Sequence, residues 1–262
     1  RLHDLLELLT LCFGERLDEL RGSFHSPLIL SQNLCLGAYN ADVALSLIDA
    51  LHLHDVVVVG HSYGGGTALA AALRHPGQVK SFVIVDSAAY RIPENPSPLY
   101  RIISIPGFGT GFARLLGPLL APGKIRDGLL AEFPGGAVPD GFIELRTKIW
   151  SQPRVTTSIA RETLRANQGL EEMSRRYREI GHSVFIVAQA DNPTRRQGVE
   201  RLQRDIPGAE LLLLSGTGHY IQFQKTPELI GVIEKAAAVP ETGKAKAQPA
   251  PAQTAKEADS SK

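Results

Sequence analysis

The chain has 262 residues, 43% of them hydrophobic, and a formal net charge of +1; this is enough apolar material for one large domain, and gives no electrostatic case for binding nucleic acid. Two cysteines, Cys12 and Cys35, are too few for a disulfide framework and lack metal-ligand spacing. No run reaches the ~18 apolar residues of a membrane-spanning helix, and the apolar start carries Asp4 and Glu7 without a small-residue cleavage site, so a soluble, cytoplasmic protein is expected.

Leu2, Leu5, Leu6, Leu9 and Phe13 share one face of a helix predicted over residues 1–22, which Gly22 ends. Residues 28–30 are a candidate short strand. Asn40 is a predicted N-cap for a helix over 41–52, with Val43, Leu47, Ile48 and Leu51 on its apolar side. The β-branched run 56–60 reads as a strand, followed by a helix to Arg74 that stops at His75, Pro76 and Gly77. Residues 81–86, SFVIVD, are a second continuous apolar run, of the kind buried on both faces of a parallel sheet.

From 91 to 181 prolines and glycines give way to helical patterns, with no strand-like run among them. Strands are predicted at 184–188 and 210–214, a short helix at 197–204, and a last helix at 227–238 with Pro227 in its first turn. Residues 241–262 hold nothing to bury and read as a disordered tail. The alternation predicts an α/β fold: a mostly parallel sheet flanked by helices, made of 40–90 and 182–240, with a helical insertion at 91–181 and an atypical segment at 1–39.

Gly60-His61-Ser62-Tyr63-Gly64 fits G-x-S-x-G, a tight turn that exposes a nucleophilic serine between a strand and a helix. The strained backbone at the serine calls for little side chain at 60 and 64, and glycine meets that need. His61, inside the turn, is expected to pack behind the serine rather than react. His52, His54 and His75 lie at helix ends.

This turn, the helical insertion, AQAD at 188–191 and GTGH at 216–219 together resemble the α/β-hydrolase fold, in its lid-containing, serine esterase-like group. The resemblance covers about 40–238. LRANQGLEEMSRRYREI at 164–180 and DIPGAELLLLSGTGH at 205–219 are similar to many bacterial esterase-like members. It implies a triad in the order Ser62, Asp191, His219. His219 would be the base that takes the serine's proton, and Asp191 the carboxylate that fixes the imidazole tautomer. Ala188 stands where the family's G-x-x-D has glycine. A shifted register would put Asn192 at the acid position, and Asp86, ending the preceding core strand, is the backup acid.

The Tyr63 backbone N–H is the expected first oxyanion donor. The second should come from a His-Gly loop, and no such dipeptide precedes residue 60. Family members also place more strands ahead of the serine. Without them residues 56–59 would form an unpaired apolar edge, unless 27–31 supply a strand, and the reading favours a truncated or rearranged N-terminus.

The expected activity is hydrolysis of a small or medium, largely apolar ester through an acyl-enzyme, with the substrate a small molecule. One alternative is a catalytically impaired or non-catalytic relative without a complete oxyanion hole. Another is a carbon–carbon or amide hydrolase. Phe108, Phe112, Leu115, Leu116, Phe133, Phe142 and Trp150 are expected to form the acyl pocket.

Overall fold

The computed structural model describes residues 36–92, 97–135 and 138–240. The readings made for 1–35 and 241–262, including the first helix, the strand near 28–30 and the tail, lie outside the described residues. In chain order the elements are α1 (Leu36–Ala50), β1 (Val56–His61), α2 (Tyr63–Ala72), β2 (Val79–Val85), α3 (Pro98–Ile103), α4 (Phe108–Ala131), α5 (Phe142–Trp150), α6 (Pro153–Ser174), a 3-10 turn (Tyr177–Glu179), β3 (Ser183–Gln189), α7 (Pro193–Asp205), β4 (Glu210–Leu214), α8 (Ile221–Gln224) and α9 (Thr226–Ala237).

The four strands form one parallel sheet in the order β1-β2-β3-β4. The register sets Gly60 beside Ile84, Val85 beside Val187, and Gln189 beside Leu214. Neighbouring strands therefore end at nearly the same level, and the loops that leave them share one edge, where ligands collect in open α/β sheets. The long run of β-branched and aromatic residues in β2 and β3 follows from burial on both faces.

One face packs under α1, α2 and α7. There Leu69, Phe82, Ile84, Ile186 and Leu202 are almost wholly buried, and Tyr177 donates its hydroxyl to the Ala89 carbonyl at 2.6 Å. The other face, with Val83, Val85 and Val187, packs under α8 and α9. Ser81 pins α9 by donating from Oγ to the Ala236 carbonyl at 2.8 Å. Helix, sheet, helix is the layer order that buries both faces.

Two local expectations need correction. Helix α1 spans Leu36–Ala50, so Asn40 lies within it and does not cap it. Its buried side is Ala41 and Ile48, whereas Val43, Leu47 and Leu51 are exposed. Arg74 sets that rotation: its guanidinium donates to the Ala38 and Ala70 carbonyls and pairs with Asp42. Among the described residues β1 ends the strand order, and Val59 on it is 44% exposed. Between β2 and β3 the described residues form helices and turns.

Candidate active site

Ser62 sits in the turn between β1 and α2 with φ 55° and ψ −121°, a conformation that side chains rarely adopt. The turn is held from both sides: the Ser62 N–H donates to the Val85 carbonyl and the Gly65 N–H to the Ser62 carbonyl, each at 3.0 Å. A Cβ on Gly60 would fall 2.3 Å from the Gly64 carbonyl oxygen, and one on Gly65 2.4 Å from Ser87 Cβ. Gly64 itself has open space where a Cβ would go. The requirement for glycine thus falls on 60 and 65, not on 60 and 64 as the motif suggests.

His219 leaves β4 on the loop through Gly216, which has φ +66°. Its Nε2 lies 2.9 Å from Ser62 Oγ, and its Nδ1 lies 2.6 Å from Asp86 Oδ2. Serine, imidazole and carboxylate therefore form one continuous hydrogen-bonded chain. Asp86 is 1% exposed, with φ 41°, at the end of β2. Its carboxylate also accepts from Gln189 Nε2 at 3.0 Å and from the Gln189 backbone N–H at 3.3 Å. Burial pushes the Asp86 carboxyl upward, but the His219 hydrogen bond, the nearby Arg195 charge and the Gln189 donor outweigh it, and the carboxyl lies below its usual value.

Asp191 is not at the imidazole. It is exposed, and its Oδ2 accepts the Gly216 backbone N–H at 2.7 Å. Asn192, the alternative register, caps α7 by accepting the Arg195 N–H at 3.1 Å. The two carboxylates are committed to different partners: Asp86 Oδ2 meets His219 Nδ1, whereas Asp191 Oδ2 is taken by the Gly216 N–H. The AQAD carboxylate braces the loop that carries His219, while the carboxylate of VIVD stands behind the ring.

His61 packs against the ring as well, with centroids 4.6 Å apart, and its Nε2 lies 2.8 Å from the His219 carbonyl oxygen. For that contact to be a hydrogen bond, Nε2 must carry the proton. Burial lowers the His61 pKa to about 4 even though this bond opposes the shift.

The loop is also fixed from above. Tyr220, next to His219, stacks on Phe133 at 5.0 Å and meets Phe142 edge-on at 5.0 Å. A Cβ on Gly218 would fall 2.1 Å from the Glu132 carbonyl oxygen, so this glycine permits the insertion to pack directly on the loop. Gln224 Oε1 accepts the Gly218 N–H at 2.8 Å.

A cavity of about 920 Å³ opens on Ser62 and His219. Of the expected pocket residues, Phe112 and Trp150 line it, along with Ile103, Leu129 and Met173. Phe133 and Phe142 are buried in the core of the insertion instead, and Phe108 and Leu115 point outward. Leu116 is not in the wall. Arg146 is a wall residue that hydrophobic patterning could not single out. Its guanidinium lies over Phe142 and Trp150, 5.4 and 5.7 Å from the ring centroids. Gln189, a buried polar residue ending an apolar strand, was likewise not singled out. Tyr63 opens α2 beside the serine and lines the same cavity, and Gly37 of α1 is also in its wall. Among the described residues no cluster of His, Cys, Asp or Glu could hold a metal, and no helix is long and apolar enough to cross a membrane.

A parallel sheet with a strained serine between strand and helix, an imidazole on the serine and a carboxylate on the imidazole defines an α/β fold of the hydrolase type. Residues 19–226 match the alpha/beta hydrolase fold family, and the chain belongs to it. The match begins upstream of residue 40, inside the segment that carries no legible family motif. The chain is 26% identical over 204 residues to a 2-hydroxymuconate semialdehyde hydrolase of Pseudomonas sp. (strain CF600), covering 74% of this chain and 68% of that protein. It is 25% identical over 202 residues to an sn-1-specific diacylglycerol lipase of Xenopus tropicalis, covering 75% and 60%. The solved structure of 2-hydroxy-6-oxo-6-phenylhexa-2,4-dienoate hydrolase from Rhodococcus sp. strain RHA1 superposes with a TM-score of 0.59 at 14% identity, covering 75% and 68%. That last likeness speaks for the fold alone.

Proposed function

We propose that the protein is a serine hydrolase that cleaves a largely apolar ester through Ser62, His219 and Asp86. The observation that carries this is the unbroken chain from Ser62 Oγ through His219 to Asp86 Oδ2, at 2.9 and 2.6 Å. In this reading His219 Nε2 takes the serine proton as Oγ attacks the ester carbonyl carbon. The C=O electron pair moves to oxygen, which faces the positive end of α2 with the Tyr63 N–H in its first turn. When the tetrahedral intermediate collapses, the C–O bond to the alcohol breaks and the imidazolium protonates the departing oxygen. Water then attacks the acyl-enzyme by the same route, giving the acid and free Ser62. Asp86 holds the Nδ1–H tautomer and stabilises the imidazolium. The helical insertion is the lid, and its apolar wall takes the acyl chain. Nothing in the reaction calls for a metal or organic cofactor.

A second reading shares the triad and differs in the bond cleaved. Arg146 reaches the cavity with no ion-pair partner among the described residues, and its stacking on Phe142 and Trp150 holds the guanidinium in place. Such a residue suits a substrate with a carboxylate, as in hydrolysis of a carbon–carbon bond beside a carbonyl in an acidic compound. Similarity to a 2-hydroxymuconate semialdehyde hydrolase points the same way.

One panel tests both readings: p-nitrophenyl esters of increasing chain length, each with and without a terminal carboxylate. The ester reading expects turnover with a burst of nitrophenol, lost in Ser62→Ala, and best with neutral acyl chains. A preference for the acidic esters that Arg146→Met abolishes would favour the second reading. No turnover of any ester by folded protein would contradict the first.

A further inference from the structure

Asp86 stands in a conformation that it would not keep alone. Its φ of 41° lies in the left-handed region, which residues with a side chain seldom enter. Its side chain is 0% exposed, so bulk water does not reach the carboxylate and its donors come from the protein. Among the described residues there are three such hydrogen bonds. His219 Nδ1 at 2.6 Å and Gln189 Nε2 at 3.0 Å meet Oδ2, and the Gln189 backbone N–H at 3.3 Å meets Oδ1. Gln189 therefore makes two of the three and spans both oxygens.

Donors on both oxygens fix the plane of a carboxylate, and this plane leaves Oδ2 aimed at the imidazole. Nε2 must be the amide atom that faces Oδ2, because the flipped amide would set an oxygen against a carboxylate. The sheet carries the clasp. Gln189 ends β3 and is buried, Ala190 beyond it donates its N–H to the Leu214 carbonyl at 2.8 Å, and the Asp86 N–H donates to the Val187 carbonyl at 2.8 Å. β3 otherwise reads Ser183-Val184-Phe185-Ile186-Val187-Ala188, so a buried amide at its end interrupts an apolar run and calls for a polar role. An amide suits that role because it donates at every pH without cancelling the negative charge. A lysine or arginine on the carboxylate would neutralise the field that an imidazolium at His219 needs. Arg195 reaches the Asp86 carbonyl oxygen instead, at 3.4 Å.

We propose that Gln189 is a positioning residue of the triad, holding the Asp86 carboxylate in the orientation that accepts the His219 Nδ1–H. The AQAD stretch then serves the site through its glutamine, while its aspartate braces the His219 loop at Gly216. Gln189 is not in the cavity wall, so it acts on the reaction through Asp86 and not on the substrate. The kinetic effect rests on the hydrolase reading above; the hold on the imidazole tautomer does not.

Two variants of the full chain test this. Gln189→Met keeps the length of the side chain and removes the donor, and Gln189→Asn keeps an amide one methylene too short to reach Oδ2. With a p-nitrophenyl ester each should lower kcat about 10–100-fold and leave KM near wild type. In an Asp86→Asn background, adding Gln189→Met should cost less than about twofold more, because the residue it acts through is already disabled. A second readout needs no turnover: 15N spectra of histidine-labelled protein, with the His219 signals assigned from His219→Gln. The neutral His219 ring should carry its proton on Nδ1 in the wild type and lose that preference in Gln189→Met, as in Asp86→Asn. Thermal melting establishes that each variant is folded, and Gln189→Asn carries the same comparisons should Gln189→Met not fold. Unchanged kcat in the folded variants, or a loss as large in the Asp86→Asn background as in the wild type, would overturn the proposal. If folded wild-type protein turns over no ester, the hydrolase reading fails and the tautomer decides alone. Its loss on substituting Gln189 supports the clasp, and its persistence refutes it.

Discussion

Two carboxylates compete for the same role, and their surroundings decide between them. Asp86 is buried against the imidazole, and Asp191 is exposed against a backbone N–H. If Asp86 holds the tautomer, Asp86→Asn should lower kcat by roughly 10³–10⁴ with little change in KM, since the amide would present the wrong hydrogen-bonding partner to Nδ1. Asp191→Asn should cost about 1 kcal/mol of stability, the value of one hydrogen bond at the loop, and change kcat less than tenfold. Steady-state kinetics with urea titrations checks both.

His61 adds a pH signature. Its folded pKa is about 4, against an ordinary 6.5, so between these values the unfolded chain binds a proton that the folded protein does not. Stability is thus complete above about pH 6.5 and declines as pH falls toward 4, by on the order of 2–3 kcal/mol. The groups facing the ring are His219, Asp86, Arg146 and Tyr220. Half-buried His182, its pKa lowered by partial burial, works in the same direction. His61→Gln keeps a donor for the His219 carbonyl but does not titrate. Urea unfolding across this range should show a flatter slope for that variant, and an unchanged slope would mean His61 is not the source.

At the scale of elements, the turn's glycines separate what the motif treats as equal. Gly60→Ala drives a Cβ into the Gly64 carbonyl and should destabilise by more than about 3 kcal/mol. Gly64→Ala meets nothing, replaces a helical glycine, and should be neutral or stabilising by up to ~1 kcal/mol. Denaturant midpoints decide it. The strands were legible because continuous β-branched runs between glycine-rich turns have few other uses. Helix faces were less so. Val43, Leu47 and Leu51 obey helical spacing, yet the Arg74 contacts turn them outward. Phe108 and Leu115 read as pocket residues because periodicity records which side chains share a face, not which neighbour that face meets.

At the scale of the whole molecule, the four strands among the described residues, parallel and in sequential order, deliver Ser62, Asp86, Asp191 and His219 to one edge of the sheet. The α/β class could be read from the alternation of elements and Ser62 from its glycine-marked turn, while His219 was implied by the family resemblance that GTGH helps to carry. The acid could not, because both aspartates follow a core strand and only the tertiary contacts of the His219 loop decide which of them meets the imidazole. Packing of Tyr220 between Phe133 and Phe142 ties the insertion to the His219 loop, a long-range contact with no local trace in the chain.

The most direct test of the account is the rate at which a fluorophosphonate labels the folded protein. Attack on phosphorus needs the same activated serine as attack on an ester carbonyl. Labelling should map to the peptide containing Ser62, vanish in Ser62→Ala, slow by orders of magnitude in Asp86→Asn, and persist in Asp191→Asn. Folded wild-type protein that is not labelled, or labelling that depends on Asp191 and not on Asp86, would contradict it.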